Sequence, residues 1–385
     1  MNSRERLLRA VNHIEPDRIP YDLGSTQLTG ISVTAYNNLR SYLNMKDETV
    51  ELSDVIQQLA APGEDLLDKL HVDTRGLFPY TSHNRYDQSQ LIEKDEYWYY
   101  KDEWGLGFHF PKVNGHWYSL VESPLDNLDP TPETVDQYKW PEAADKTRIT
   151  GLKQLATRYH EQGKAVVLKG LCAGVFEMCQ RLRGMENALM DFMLFPDMNE
   201  RLVGKIADLK IEFWEMVLSE LADDVDVIVE ADDYGTQESQ LISPEQFRII
   251  YKPHINRIIQ TIRKLAPDAK VFFHSCGNVR PIIPDFIDMG IDILNPVHIS
   301  AEGMDPFTLK KDFGNDITFW GGGVETQDVL PNGTAEQVAE NVKRNIEALA
   351  PGGGFIFNTV HNIQSEVPPE NVMSMWRTLD EFGIY

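Results

Sequence analysis

The sequence predicts an α/β fold, a TIM (β/α)8 barrel with a helical N-terminal extension and a β-hairpin insertion. Three observations predict it. About eight short apolar runs recur along the 385 residues, helical patterns separate most of them, and polar residues gather where the runs end. The runs fall at 18–23, 74–78, 165–168, 225–229, 271–273, 291–294, 317–320 and 355–357. Short continuous apolar segments between helical patterns are what parallel strands buried on both faces look like.

The helical patterns carry their own signals. Ser243 followed by Pro244 is a cap residue with proline at the first helical position, and Phe247, Tyr251, Ile255, Ile258, Ile262 and Leu265 then recur at helical spacing. Thr334, with Gln337 three residues on, is a capping box. Val338, Val342, Ile346 and Leu349 follow inward before Pro351 and three glycines end the helix. Residues 80–124 read differently: Tyr97-Trp98-Tyr99-Tyr100 and His116-Trp117-Tyr118 are aromatic and β-prone with turn residues between them, a β-hairpin insertion that either lids the barrel or makes a surface contact. No repeat or linker interrupts the chain, so 1–385 is expected to form one domain. Cys172 and Cys179, seven apart, are expected to pack in the core of one helix.

Composition narrows the function. The chain has 60 acidic against 36 basic residues, a net charge of −24, which disfavours nucleic acid and anionic membrane as partners. The first residues lack an apolar signal core and the three cysteines fit a reducing compartment, so a cytoplasmic location is expected.

In a parallel barrel the chemistry sits at the carboxyl ends of the strands. His274-Ser275-Cys276 follows the run Val271-Phe272-Phe273, and ligands two apart on a strand share a face, so an imidazole and a thiolate would meet one ion. His361, at the end of another apolar run, is the best third ligand; three protein ligands with an open fourth position describe a catalytic zinc site. Glu230 and Asp232 follow Val227-Ile228-Val229 and are candidate catalytic groups, with Glu230 a general base or a fourth ligand. Asn295, Arg280 and Gly322 are candidate substrate-binding residues, the arginine for a carboxylate and the glycine for close backbone approach. A surface ion pair is the alternative for Arg280.

In these residues the chain resembles the uroporphyrinogen decarboxylase superfamily, in particular its zinc-dependent corrinoid methyltransferase branch. The resemblance runs from Arg4-Glu5-Arg6-Leu7-Leu8-Arg9-Ala10 and Pro16-Asp17-Arg18-Ile19-Pro20, is strongest at His274-Ser275-Cys276-Gly277-Asn278, and closes with Pro368-Pro369-Glu370-Asn371-Val372. It implies a TIM barrel. Decarboxylases of the family carry an Arg-Gln-Ala-Gly-Arg-Tyr stretch for the porphyrinogen carboxylates; here the corresponding Tyr21-Asp22-Leu23-Gly24-Ser25-Thr26-Gln27 has no arginine, which speaks against that substrate. In relatives acting on coenzyme M the third zinc ligand is a cysteine eight residues before a Glu-Asn pair, and that spacing leads here to the Val360-His361 pair, so that His361 takes the position.

The resemblance therefore implies a zinc-dependent methyltransferase that exchanges a methyl group between a small substrate and a separate corrinoid protein. O-demethylation of a methoxylated compound is the preferred version. The aromatics Trp98, Trp104 and Trp117 would line the mouth or pack as core. Two alternatives stay open: a metal-free lyase of the decarboxylase type using Asp232 or His361 on another acid, and a non-catalytic barrel that binds a corrinoid or porphyrin. The chain has no Asp-x-His-x-x-Gly pattern of a corrinoid carrier, and self-association into a homodimer is also open.

Overall fold

A computed structural model of the chain describes residues 1–46, 48–84 and 91–385. Seven parallel strands form one curled sheet: β1 (Thr74–Leu77), β2 (Ala165–Lys169), β3 (Val227–Ala231), β4 (Lys270–His274), β5 (Ile293–Asn295), β6 (Thr318–Trp320) and β7 (Phe355–Ile356). They lie in sequence order, each hydrogen-bonded to the next, the arrangement of a singly wound parallel barrel. The predicted run at 18–23 bonds to both edges of this sheet. The Phe357 amide donates to Pro20 O at 2.8 Å, and Asp73 N donates to Tyr21 O at 2.8 Å. It pairs with the β7 side through a single parallel bridge, Tyr21 to Phe357, because Pro20 has no amide to give a longer ladder. The architecture is that of a TIM-like barrel.

Strand alternation sorts the apolar side chains into two clusters. Ala165, Val167, Val227, Val229, Phe272, Ile293, Trp320 and Ile356 point inward and pack with Leu7, Ala10 and Val11 of the helix Ser3–Val11. The intervening residues, among them Val166, Leu168, Ile228, Val271, Phe273 and Phe319, point outward into the larger core beneath the helices. Helix Ser3–Val11 starts in a capping box of Asn2 and Glu5, and the Arg4 amide donates to Gly163 O just before β2. It is therefore packed at the amino-terminal end of the strands, where Arg6 is fixed by Asp17 and Asp73 at 2.7 and 2.6 Å. Only the carboxyl end is left for a site.

The capping boxes predicted at Ser243/Gln246 and Thr334/Gln337 both form. After Ser243 a π-helical stretch, Phe247–Tyr251, precedes the regular helix Lys252–Leu265, whose apolar stripe lies on the barrel. In the 80–124 region Ile92–Glu93, Tyr97–Lys101, Gly107–Pro111 and Ser119–Glu122 form a four-stranded antiparallel sheet; residues 85–90 of that region lie outside the described residues. Its Trp104 is buried against the core, Trp98 lies under Lys112 with the ammonium 5.0 Å from the ring centre, and Trp117 is exposed. Cys179 packs in helix Val175–Arg183 as expected, but Cys172 precedes that helix and faces a cavity instead. Among the described residues no helix is long and apolar enough to cross a membrane.

Candidate metal centre

The alternation that buries Phe272 inside the barrel also points His274 inward at the last position of β4, in register with Ala231 on β3 and Asn295 on β5. Cys276, two residues on, returns to the same side. The turn carrying it is clamped: the Cys276 amide donates to Asp233 Oδ1 at 2.8 Å, the Gly277 amide to His298 Nδ1 at 3.0 Å, and the Tyr234 amide to Ser275 Oγ at 3.1 Å. Gly277 has φ +80°, and a Cβ there would lie 2.4 Å from Thr236 O, so the turn needs glycine at this point. The loop after β7 brings His361 to the same place. One ligand atom each from His274, Cys276 and His361 lie within 4.8 Å of one another, with Cys276 Sγ 3.3 Å from His274 Nε2.

Such a donor set fits a zinc-type ion. Nitrogen and sulfur ligands of a tetrahedral zinc sit about 3.5 Å apart, given bond lengths of about 2.0 and 2.3 Å. The partner of the other ring nitrogen fixes the tautomer: Asn295 Nδ2 donates to Trp320 O at 2.8 Å, so Asn295 Oδ1 faces His274 and accepts from Nδ1 at 2.5 Å. Nε2 is thereby left with its lone pair toward Cys276, the arrangement a ligating histidine needs. Burial pushes both histidines down to about 4, with Asn295 opposing at His274 and His274 adding to the effect at His361. The Cys276 thiol is pushed well up, again by burial and by Asp233. Three uncharged donors converge in a place hostile to added protons, and a cation would reverse the thiol's preference for its proton.

Above them opens a cavity of about 170 Å³ walled by His274, His361, Asp233, Lys169, Arg181 and Trp104, the last contributed just after the Tyr97–Lys101 strand. A model of uroporphyrinogen decarboxylase matches residues 112–382, well over half of the sequence. The chain belongs to the uroporphyrinogen decarboxylase family. Among solved structures, a methyltransferase from Methanosarcina mazei superposes with a TM-score of 0.62 at 18% identity, covering 99% of each chain, which shows a shared fold. A thermostable xylanase mutant from Cellvibrio japonicus superposes with a TM-score of 0.35 at 10% identity, over 60% of this chain and 83% of its own. No curated protein matches the sequence.

Other candidate residues of this uroporphyrinogen decarboxylase family member lie elsewhere. Glu230 is in register with outward-facing Phe273, and its carboxylate takes a bond from Trp214 Nε1 at 2.6 Å and an ion pair with Lys210 at 2.9 Å, both from the long helix Pro196–Leu221. It does not reach the His274, Cys276 and His361 group. Asp232 also points outward: it accepts from the amides of Phe176 and Glu177 at 2.9 Å and from Tyr234 Oη at 2.6 Å, capping helix Val175–Arg183. A Cβ on Gly174 would lie 2.0 Å from that carboxylate, hence glycine there. The inward positions of this segment are Ala231 and Asp233, and Asp233 Oδ1 lies 3.6 Å from His274 Nε2. Burial and Glu177 push Asp233 up to about 6.

Arg280 pairs with Asp312 and lies over the Phe313 ring, outside the cavity, the surface-pair alternative. Asn295 contacts His274 and is not a wall of the cavity. Gly322 has φ +77° and a Cβ would lie 2.7 Å from Val297 Cβ, so its close approach is to the neighbouring loop. The cavity's cations are Lys169 and Arg181, which the sequence reading passed over. The signal for Lys169 was parity: Ala165 and Val167 face inward, so the next odd position, a lysine, must as well.

Proposed function

We propose that the chain is a zinc-dependent methyltransferase that moves a methyl group between a small substrate and the corrinoid of a partner protein, with O-demethylation of a methoxylated compound as the preferred version. The observation that carries this reading is the convergence of His274, Cys276 and His361 at the floor of the open end of the barrel. Zinc held there, with one thiolate and two neutral imidazoles, would supply a Lewis acid of net charge about +1 for the oxygen or sulfur that gives up or receives the methyl group. The protein's own part is positioning. Asn295 holds the His274 tautomer, Asp233 fixes the Cys276 amide, and the walls exclude water from a reacting group a few ångströms away.

Size and charge support a small substrate. A cavity of about 170 Å³ is close to the roughly 150 Å³ that accommodates benzene in an engineered protein core, so it suits a single ring and not a macrocycle. The Tyr21-to-Gln27 segment brings Gln27 to the cavity and no arginine, which removes the usual means of holding porphyrinogen carboxylates. The partner's corrinoid would approach from the mouth, because donor and acceptor atoms must come within attack distance.

A second reading, a lyase acting on a small acid, is favoured by Lys169 in the cavity wall; Asp233, not Asp232, would then be the available carboxylate. The test is to supply zinc-loaded protein and reduced free cobalamin with methoxylated aromatics and follow methylcobalamin in the visible spectrum. Methylcobalamin formed by wild type and reduced at least a hundredfold in Cys276→Ala supports methyl transfer. Release of carbon dioxide from a small acid with no methylcobalamin would move the lyase to first place.

A further inference from the structure

Lys169 ends β2 with its side chain inside the barrel and lines the cavity above His274 and His361, yet only 4% of the residue is exposed. No carboxylate among the described residues lies within the 4.0 Å of an ion pair, and none of them accepts a hydrogen bond from the ammonium. Asp54 is the acid whose charge acts on it most strongly, and one Asp54 oxygen already accepts from the Gln57 amide at 2.9 Å. Arg181, on helix Val175–Arg183, adds a second cation to the same wall; its guanidinium spends one nitrogen on Glu177 Oε1 at 2.5 Å. The other acids nearby are engaged: Asp102 with His83 and two amides, Glu103 with Arg148.

An ammonium withdrawn from water without a partner is costly, and Lys210 shows the usual solution, a carboxylate at 2.9 Å. Lys169 is held by the barrel wall in the opposite condition. Burial pushes its pKa down, Asp54 and Cys172 oppose this only in part, and the neighbouring guanidinium adds to the downward push. Both penalties would be relieved by one anionic group entering from the mouth.

We propose that Lys169 and Arg181 form an anion-binding pole of the cavity, and that the substrate is a small, single-ring carboxylate whose reacting group faces His274, Cys276 and His361. The nature of the reacting group rests on the methyl-transfer reading; the anion pole does not. A carboxylate takes a charge-assisted hydrogen bond from the ammonium and has an oxygen left for the guanidinium. The same pole explains how a chain of net charge −24 would admit an anion, since a local cation in a low-dielectric cavity outweighs a distant surface charge screened by salt.

The test is isothermal titration of zinc-loaded wild type, Lys169→Met and Lys169→Arg with 4-methoxybenzoate and with neutral methoxybenzene. Zinc content and circular dichroism serve as the check on folding. The carboxylate is expected to bind at least about tenfold tighter than the neutral ring, Lys169→Met to remove that preference, and Lys169→Arg to retain most of it. Carboxylate binding no tighter than that of the neutral ring, or an equal loss for both probes in Lys169→Met, overturns the pole. Running the methylcobalamin assay on the same proteins separates the two ideas. Lys169-dependent carboxylate binding without methyl transfer keeps the pole and rejects the reaction; transfer from 4-methoxybenzoate unchanged in Lys169→Met keeps the reaction and rejects the pole.

Discussion

Replacing Glu230 with glutamine separates a catalytic carboxylate from a structural one. In the native protein the two Glu230 oxygens are used by Trp214 Nε1 at 2.6 Å and Lys210 Nζ at 2.9 Å, and Lys210 also donates to the carbonyl of Ala173 at 3.0 Å. Residues 210 and 230 are 1% and 4% exposed, so neither charge has water to fall back on. Glutamine keeps an acceptor for the tryptophan and strands the lysine. Removing one partner of a buried ion pair typically costs about 3–5 kcal/mol, whereas replacing both with apolar groups of similar volume is often nearly neutral. Glu230→Gln should therefore lose about 3–5 kcal/mol in urea unfolding, and the double variant Lys210→Met, Glu230→Leu should recover most of it. Zinc per folded chain and turnover per folded chain should stay within about twofold of wild type, because Glu230 is on the opposite face of β3 from His274. Unchanged stability together with a hundredfold loss of turnover would refute this reasoning and return Glu230 to the site.

Asn295→Leu removes the acceptor that fixes the His274 tautomer, and zinc affinity should fall about 10- to 100-fold in a competitive chelator titration, with little change in fold because the position stays filled. Both histidines are held down at about 4, so they are already neutral above that pH, and the thiol, held up by burial, is the one group that must lose a proton to bind metal. Zinc uptake at pH 7 should release about one proton per ion and strengthen about tenfold per pH unit from 5.5 to 7.5, read by titration in buffers of different ionisation enthalpy; two or more protons released at pH 5.5 would show the histidines protonated. Gly277→Ala forces a Cβ to within 2.4 Å of Thr236 O at φ +80° and should destabilise the protein by at least about 1 kcal/mol while weakening zinc binding, both measured on one preparation.

The barrel strands were legible because parallel strands covered on both faces read as apolar runs, and all seven runs from 74–78 onward became strands of one sheet. The metal candidates were legible for a different reason: histidine and cysteine advertise ligand chemistry, and spacing of two on a strand fixes a common face. Residue type misled where facing direction decided. In Glu230-Ala231-Asp232-Asp233 the eye goes to the first acids, yet the inward parity set by Val227 and Val229 selects Ala231 and Asp233. Lys169 is hidden in the sequence because the apolar run ends at Leu168, although the strand runs one residue further. Cys172 misled through the sequence interval to Cys179, since Gly174 starts the helix only after it. Arg280 and Gly322 depended on contacts with Asp312 and Val297, which no local pattern encodes.

The central claim, that His274, Cys276 and His361 hold one zinc, is tested most directly by elemental analysis of protein purified without a metal-affinity tag. The wild-type protein should carry about one zinc per chain, and His274→Ala, Cys276→Ala and His361→Ala should each lose it, while Glu230→Gln and Asp232→Asn keep it in their folded fraction. A wild-type protein that takes up no zinc even when it is supplied, or variants at all three positions that retain it, would contradict the account.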